Sequence, residues 1–218
     1  MDFEQARVNM IKQQIQPWNV LSTEVLDSLA LVKRERFVPE DKRSLAFAEI
    51  QMPIGKGQYM LEPKVEARIL QALALKGNES VLEIGTGSGY MAALLAAHAE
   101  WVRTLEIDAD LARQAQANLD HAGVSNVVVI ETDGADGHAE RAPYDVIVAS
   151  GAVRSVPQAW LDQLKPGGKL FAFVGTAPVL AACVITKQAD GSTQRETVFE
   201  SDVPPLTVRT PADRAFVL

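Results

Sequence analysis

The sequence predicts a doubly wound α/β fold: a mostly parallel, seven-stranded sheet with an N-terminal helical cap and antiparallel C-terminal strands. Three observations carry that expectation. From residue 80 onward, short apolar segments alternate with helical ones, the pattern of a parallel sheet covered on both faces. The first of these segments ends in a run of glycines, Gly85-Thr86-Gly87-Ser88-Gly89. Toward the carboxyl end the alternation stops, and two apolar segments flank Asp190-Gly191, a hairpin signal.

Residues 1–75 read as mostly helical with two loops. Phe3, Val8, Ile11 and Ile15 stand near helical spacing, and Pro17 stops that helix. Ser22 or Thr23 caps a second helix through Leu31, with Val25, Leu26 and Leu29 inward. Phe37-Val38-Pro39 closes the unit. The Gly- and Pro-rich segment 50–63 reads as a loop, and 64–75 as a helix. Strands are expected at 80–84, 101–106, 126–130, 144–149 and 169–174, with helices at 90–98, 109–122 and around 157–164. Segments 180–186 and 193–200 supply the closing strands. Neither a repeat nor a linker divides the 218 residues, so one domain is expected, with a helical region at 1–75 and an α/β core at 76–218.

Composition narrows the function classes. The chain is 47% hydrophobic and 22% charged, enough to bury a sizeable core. Its formal net charge of -7 lacks the basic footprint of nucleic-acid or membrane-surface binding. The densest basic group, Lys33, Arg34 and Arg36, is interrupted by Glu35. Cys183, the lone cysteine, lies in an apolar run and reads as a buried small hydrophobe. With no disulfide to form and no apolar signal core near Met1, a cytoplasmic setting is expected. His98, His121 and His138 have no ligand spacing, so no metal is expected. Trp18, Trp101 and Trp160 are expected to pack in the core or at its edge.

In an open α/β sheet, ligands bind beyond the carboxyl ends of the strands. Glycines let the backbone turn tightly there and approach a ligand where a Cβ would clash. The spacing is Gly-x-Gly-x-Gly, and Tyr90 stands where the dinucleotide fingerprint needs its third glycine. The Gly-Lys-Ser/Thr ending of a phosphate loop is missing too. The glycine spacing, together with Glu83, disfavours a nicotinamide dehydrogenase. Glu83, two positions before Gly85, suits a cationic ligand better than a pyrophosphate, and S-adenosyl-L-methionine carries an ammonium and a sulfonium. Glu106 ends the next strand about 20 residues on, where a carboxylate accepts ribose hydroxyls, with Ile107 beside it. Thr132-Asp133-Gly134 follows the third strand; Asp133 is placed to accept from an adenine amino group, and Gly134 lets backbone lie against the ring. The cofactor-binding set is therefore Glu83, Gly85, Thr86, Gly87, Ser88, Gly89, Glu106, Ile107, Asp133 and Gly134.

Val81-Leu-Glu-Ile-Gly-Thr-Gly-Ser-Gly-Tyr90 resembles the cofactor motif of the protein-L-isoaspartate O-methyltransferase family. The resemblance extends to Arg7, Met10, Gln14, Ile15 and Arg34-Glu-Arg-Phe-Val-Pro39. It also takes in Met52-Pro-Ile-Gly55, Gly57-Gln58, Ala142-Pro-Tyr-Asp145, Gln163-Leu-Lys-Pro-Gly-Gly168 and Val174-Gly175. It implies a Rossmann-like methyltransferase sheet and S-adenosyl-L-methionine as cofactor. The implied partner is a protein or peptide bearing an isoaspartyl residue, whose carboxylate takes the methyl group. Such a carboxylate is already ionised near neutral pH and needs no general base.

The resemblance implies an acceptor loop reading Gly-Gln-Thr-Ile-Ser-Gln-Pro, whose hydroxyls position the carboxylate. Here it reads Gly57-Gln-Tyr-Met-Leu-Glu-Pro63. Tyr59 stands for the Thr, Leu61 for the Ser with its hydroxyl lost, and Glu62 for the Gln; Tyr59 and Leu61 are the candidate catalytic positions. Glu62, if it faced the site, would repel a carboxylate. In Ala46-Phe-Ala-Glu49 the family tends to have Ala-Tyr-x-Asp. One reading keeps isoaspartyl methylation with Tyr59 as substitute hydroxyl. Alternatives are a different, small-molecule acceptor or a non-catalytic cofactor-binding protein. Ser150-Gly-Ala152 is expected to leave room for substrate, with Ser150 as a further hydroxyl. The tail from Pro204 is expected to extend onto a neighbour or lie disordered, with its apolar end Phe216-Val-Leu218 a hint that it packs on something.

Overall fold

The computed structural model describes residues 2–207. Helix α1 (Phe3–Met10) is capped by Asp2, whose side chain accepts from the Gln5 amide at 3.1 Å. It continues as a π-helical stretch over Ile11–Ile15 and a 3₁₀ turn over Gln16–Trp18 that contains Pro17. Helix α2 (Thr23–Leu31) is capped by Ser22 as expected. The segment expected as a plain loop instead folds into a two-stranded hairpin, β1 (Met52–Gly55) with β2 (Gln58–Met60). Gly55, Lys56 and Gly57, all at positive φ, make its turn. The same residues that read as loop punctuation are the turn itself, while Met52 and Met60 anchor the hairpin in the core. Helix α3 (Pro63–Leu73) follows.

The α/β core then alternates as expected: β3 (Ser80–Ile84), α4 (Tyr90–Ala96), β4 (Trp101–Glu106), α5 (Ala109–Ala122), β5 (Val127–Glu131), β6 (Tyr144–Val153), α6 (Gln158–Asp162) and β7 (Leu164–Thr176). Hairpin strands β8 (Val179–Lys187) and β9 (Thr193–Ser201) close the sheet. Its order is β5-β4-β3-β6-β7-β8-β9, parallel from β5 to β7 and antiparallel beyond. Strand β6 runs past Ala149 to Val153 because its register with β7 shifts between Val148 and Ala152. That irregularity carries Ser150 and Gly151 to the carboxyl edge of the sheet.

Side-chain placement corrects three expectations. Val8 is 41% exposed, because the buried stripe of the first helix runs through Arg7, Met10 and Ile15. Arg7 is buried with its guanidinium paired to Glu4 and Glu35. Trp160 is fully buried, whereas Trp18 and Trp101 are 42% and 46% exposed. Trp18 lies under the Lys64 ammonium, 4.2 Å from the ring centroid, at the helical cap's surface. Trp101 opens β4, at the amino end of the strand. Cys183 is buried, as its apolar run implies. Pro204–Thr207 return across the carboxyl edge of the sheet. The Ala152 amide donates to Pro204 O and the Leu206 amide to Ala152 O, each at 2.9 Å. The expected packing of Phe216-Val-Leu218 lies outside the described residues.

Candidate active site

The glycine loop leaves β3 between β4 and β6, where the chain direction of the winding reverses. The amides of Gly85 and Thr86 donate to Leu105 O at 2.9 and 3.1 Å, stitching the loop to the end of β4. Gly85 sits at φ +94, and a Cβ there would stand 2.6 Å from Leu206 Cδ2. Glu106, 6% exposed, accepts from the Gly87 amide at 2.8 Å through Oε2 and from the Asp108 amide at 3.1 Å through Oε1. Each oxygen keeps a second lone pair, and the side chain lines the cleft. Asp108, two residues on, caps α5 by accepting from the Asp110 and Leu111 amides. At the end of β5, Asp133 accepts from the Ala135 amide at 3.0 Å. Gly134 admits no side chain, since a Cβ would lie 2.5 Å from Ile84 Cγ2.

Glu83 is not where the sequence reading put it. It is fully buried beneath the loop, with Oε2 accepting from Thr104 Oγ1 at 2.6 Å and Oε1 from Ser150 Oγ at 2.7 Å. Thr104 spends its one proton on Glu83, so Thr86, at 2.6 Å from Thr104, donates to it. Glu83 therefore ties the loop to β4 and β6 rather than facing the cleft. Burial pushes its carboxyl up from 4.5 to about 7, against the pull of the two hydroxyls. The folded state thus holds a proton that the unfolded chain releases from about pH 4.5 upward. Stability falls as pH rises through that window, by roughly 3 kcal/mol for this group. Glu83→Gln cannot titrate. Urea midpoints at pH 5 and pH 8 are expected to differ less in this variant than in the parent protein; equal differences would refute the account.

The cleft, about 510 Å³, runs from Thr132 and Gly134 at the end of β5 past Glu106 and Ile107 to Ser150 and Gly151 at the end of β6. The β1–β2 hairpin, including Tyr59, and Pro204–Thr207 form its outer walls. The hairpin is pinned across the cleft by Lys56, whose ammonium meets Asp110 at 2.6 Å. Among the glycine-loop residues, Gly85 and Gly87 line this cleft. Thr86 and Ser88 instead border a neighbouring cavity of about 30 Å³, and Gly89 packs against Ala115 and Leu119 of α5. A glycine turn without side chains, a carboxylate with lone pairs toward the cleft and apolar walls (Ile84, Leu105, Leu111) suit a nucleoside joined to an amino acid, and the volume matches ordinary ligand sites. The donor set thus fits S-adenosyl-L-methionine. Among the described residues, no three His, Cys, Asp or Glu are grouped to hold a metal ion, and no helix is long and apolar enough to cross a membrane.

Comparison with known proteins settles the family. Residues 5–210 match the family description protein-L-isoaspartate(D-aspartate) O-methyltransferase. The chain belongs to that family. A protein-L-isoaspartate O-methyltransferase of Koribacter versatilis is 39% identical over 200 residues, covering 92% of this chain and 90% of the relative. Another, from Anaeromyxobacter dehalogenans, is 43% identical over 190 residues, covering 86% and 91%. Two solved structures share the fold. One, a protein-L-isoaspartate O-methyltransferase, has a TM-score of 0.79 at 23% identity, and the match covers 92% of this chain and 66% of that one. The other is a Plasmodium falciparum protein assigned to the same class, in complex with S-adenosyl-L-homocysteine, with a TM-score of 0.80 at 18% identity over 95% and 99% of the two chains.

The segment 57–63, expected as the acceptor loop, departs furthest from its expected placement. Leu61 is 4% exposed and borders the small cavity beside the glycine loop with Tyr59 and Ser150, and its carbonyl accepts from Arg34 Nη2 at 2.7 Å. Tyr59, 45% exposed, faces the cleft. Glu62 does not confront an incoming carboxylate: it heads α3, pairs with Lys64 at 3.1 Å and borders a separate groove with Trp18 and Arg68. Glu49, the other departure, also pairs with Lys64. Thr104, Lys56, Gln58 and the wall at Pro204–Thr207 were not anticipated. Pro204-Pro205-Leu206 was the one available signal, a rigid apolar segment with no place in a strand.

Proposed function

We propose that this methyltransferase transfers a methyl group to the free carboxylate of isoaspartyl residues in proteins or peptides. S-adenosyl-L-methionine is the cofactor. The observation that carries the acceptor assignment is the family relation: 39% identity to an isoaspartyl methyltransferase across nearly the full length of both chains. The site is consistent with it. When bound, S-adenosyl-L-methionine supplies an electrophilic methyl on a sulfonium. Glu106 would hold the ribose hydroxyls, Ile107, Asp133 and Gly134 the adenine, and the side-chain-free turn at Gly85 and Gly87 would let the amino-acid end lie against the backbone. Glu83, Thr104 and Thr86 keep the loop in shape without touching the ligand.

The acceptor carboxylate carries its nucleophilic charge at neutral pH, so this chain's task is to orient it and exclude water. The hairpin and the wall at Pro204–Thr207 do the excluding. Tyr59 offers a hydroxyl at the cleft in place of the family's loop Thr. A reducing, cytoplasmic setting suits the lone buried thiol. The departure at Leu61 favours one second reading, a less anionic acceptor.

The test is release of S-adenosylhomocysteine with an isoaspartyl peptide beside its normal aspartyl twin. Turnover with the isoaspartyl peptide alone is the expected result. Cofactor binding without turnover on either peptide would move the acceptor to another class. Absence of cofactor binding by calorimetry would remove the methyltransferase assignment.

A further inference from the structure

Among the described residues, four hydroxyl-bearing side chains line the cleft: Tyr59, Thr132, Ser150 and Thr207. Ser150 gives its proton to Glu83 at 2.7 Å. Thr132 stands at the end of β5, next to Asp133 and Gly134, on the side assigned to the adenine. Tyr59 and Thr207 remain, both on the β6 side, where the hairpin meets the wall at Pro204–Thr207. Thr207 Oγ1 accepts from Gln58 Nε2 at 3.2 Å. A hydroxyl both accepts and donates, so this bond fixes the oxygen and leaves its proton for a partner in the cleft. The wall that carries Thr207 is itself held. It is bonded to Ala152 on both sides of Pro205, and the Leu206 side chain packs over Gly85 and Gly151.

We propose that the Thr207 hydroxyl, oriented by Gln58, is a donor that holds the acceptor carboxylate in place of the hydroxyl lost at Leu61; this rests on the isoaspartyl reading above. The replacement works because Leu61 brings no hydroxyl to the cavity it borders, whereas Thr207 brings one to the adjoining cleft from another segment. Thr207 sets acceptor affinity, not cofactor affinity, and Gln58 is its positioning residue.

Thr207→Val keeps the shape and removes the hydroxyl, and Thr207→Ser restores it. With an isoaspartyl peptide, Thr207→Val is expected to lower kcat/KM about tenfold or more, chiefly through KM, as for a lost hydrogen bond to a charged group. Thr207→Ser should stay within about twofold of the parent protein, and Gln58→Met should show part of the loss. Calorimetric affinity for S-adenosyl-L-homocysteine should be unchanged in all three. Full kcat/KM in Thr207→Val, with the parent protein active, would overturn this inference alone. So would an equal loss of S-adenosyl-L-homocysteine affinity, which would make Thr207 a brace for the wall. A parent protein that binds cofactor but leaves the isoaspartyl peptide untouched would overturn the acceptor reading first, and this inference with it.

Discussion

Glu106→Gln is expected to weaken S-adenosyl-L-homocysteine binding about a hundredfold while leaving the protein folded. The carboxylate accepts two backbone amides, one on each oxygen, and keeps lone pairs toward the cleft. An amide nitrogen cannot accept. One side of a Gln would set a donor against the Gly87 or the Asp108 amide and would turn a donor toward the ribose position. Losing a charge-assisted bond costs roughly 1.5–3 kcal/mol, and displacing the glycine loop adds to it. Calorimetry measures the affinity, and a thermal melt close to that of the parent protein separates lost binding from lost folding. Unchanged affinity would show that Glu106 only braces the loop.

The second large effect lies beneath the acceptor loop. Arg34, 1% exposed, bonds Ala46 O through Nε and Leu61 O through Nη2, pairs with Glu66 through Nη1, and lies 4.8 Å over the Tyr90 ring. One guanidinium thereby joins the helical cap, the acceptor loop, α3 and α4. Arg34→Met leaves the Glu66 carboxyl buried without its partner, and removal of one member of a buried pair costs about 3–5 kcal/mol. Burial already pushes Glu66 up to about 7, so it can escape the penalty by taking a proton. The loss, read from urea midpoints, is therefore expected to be larger at pH 8 than at pH 5. A companion Glu66→Leu should recover much of it at pH 8, since a matched apolar pair carries no buried charge. Equal losses at the two pH values would indicate that the carbonyl bonds to Ala46 and Leu61, not the ion pair, carry the effect.

The α/β core was legible because its signals are local. Apolar runs gave β3 to β9, and Asp108, Gly123 and Gly191 punctuated them where the chain turns. Glu106 and Gly134 were legible for the same reason: each stands at a strand end whose position follows from the winding. Glu83 was not, because its environment comes from Thr104, 21 residues on, and Ser150, 67 residues on. A carboxylate at a strand end reads alike whether it meets solvent, ligand or two hydroxyls. The hairpin at 52–60 was hidden by the glycines and proline that shape it. Leu61 was legible as a change of residue, but the bond that holds its carbonyl comes from Arg34, 27 residues earlier.

The wall at Pro204–Thr207 has a consequence for the order in which the molecule is built. A chain made from its amino end can pair β3 with β4 and β6, and so shape the glycine loop, before the wall has been synthesised. The segment that covers Gly85 and Gly151 and carries Thr207 arrives after β7, β8 and β9. Contacts between segments so far apart in sequence are slow to form because the intervening chain must first be ordered. A nascent chain thus acquires its glycine-loop cradle early, and the wall that closes the cleft only after β9.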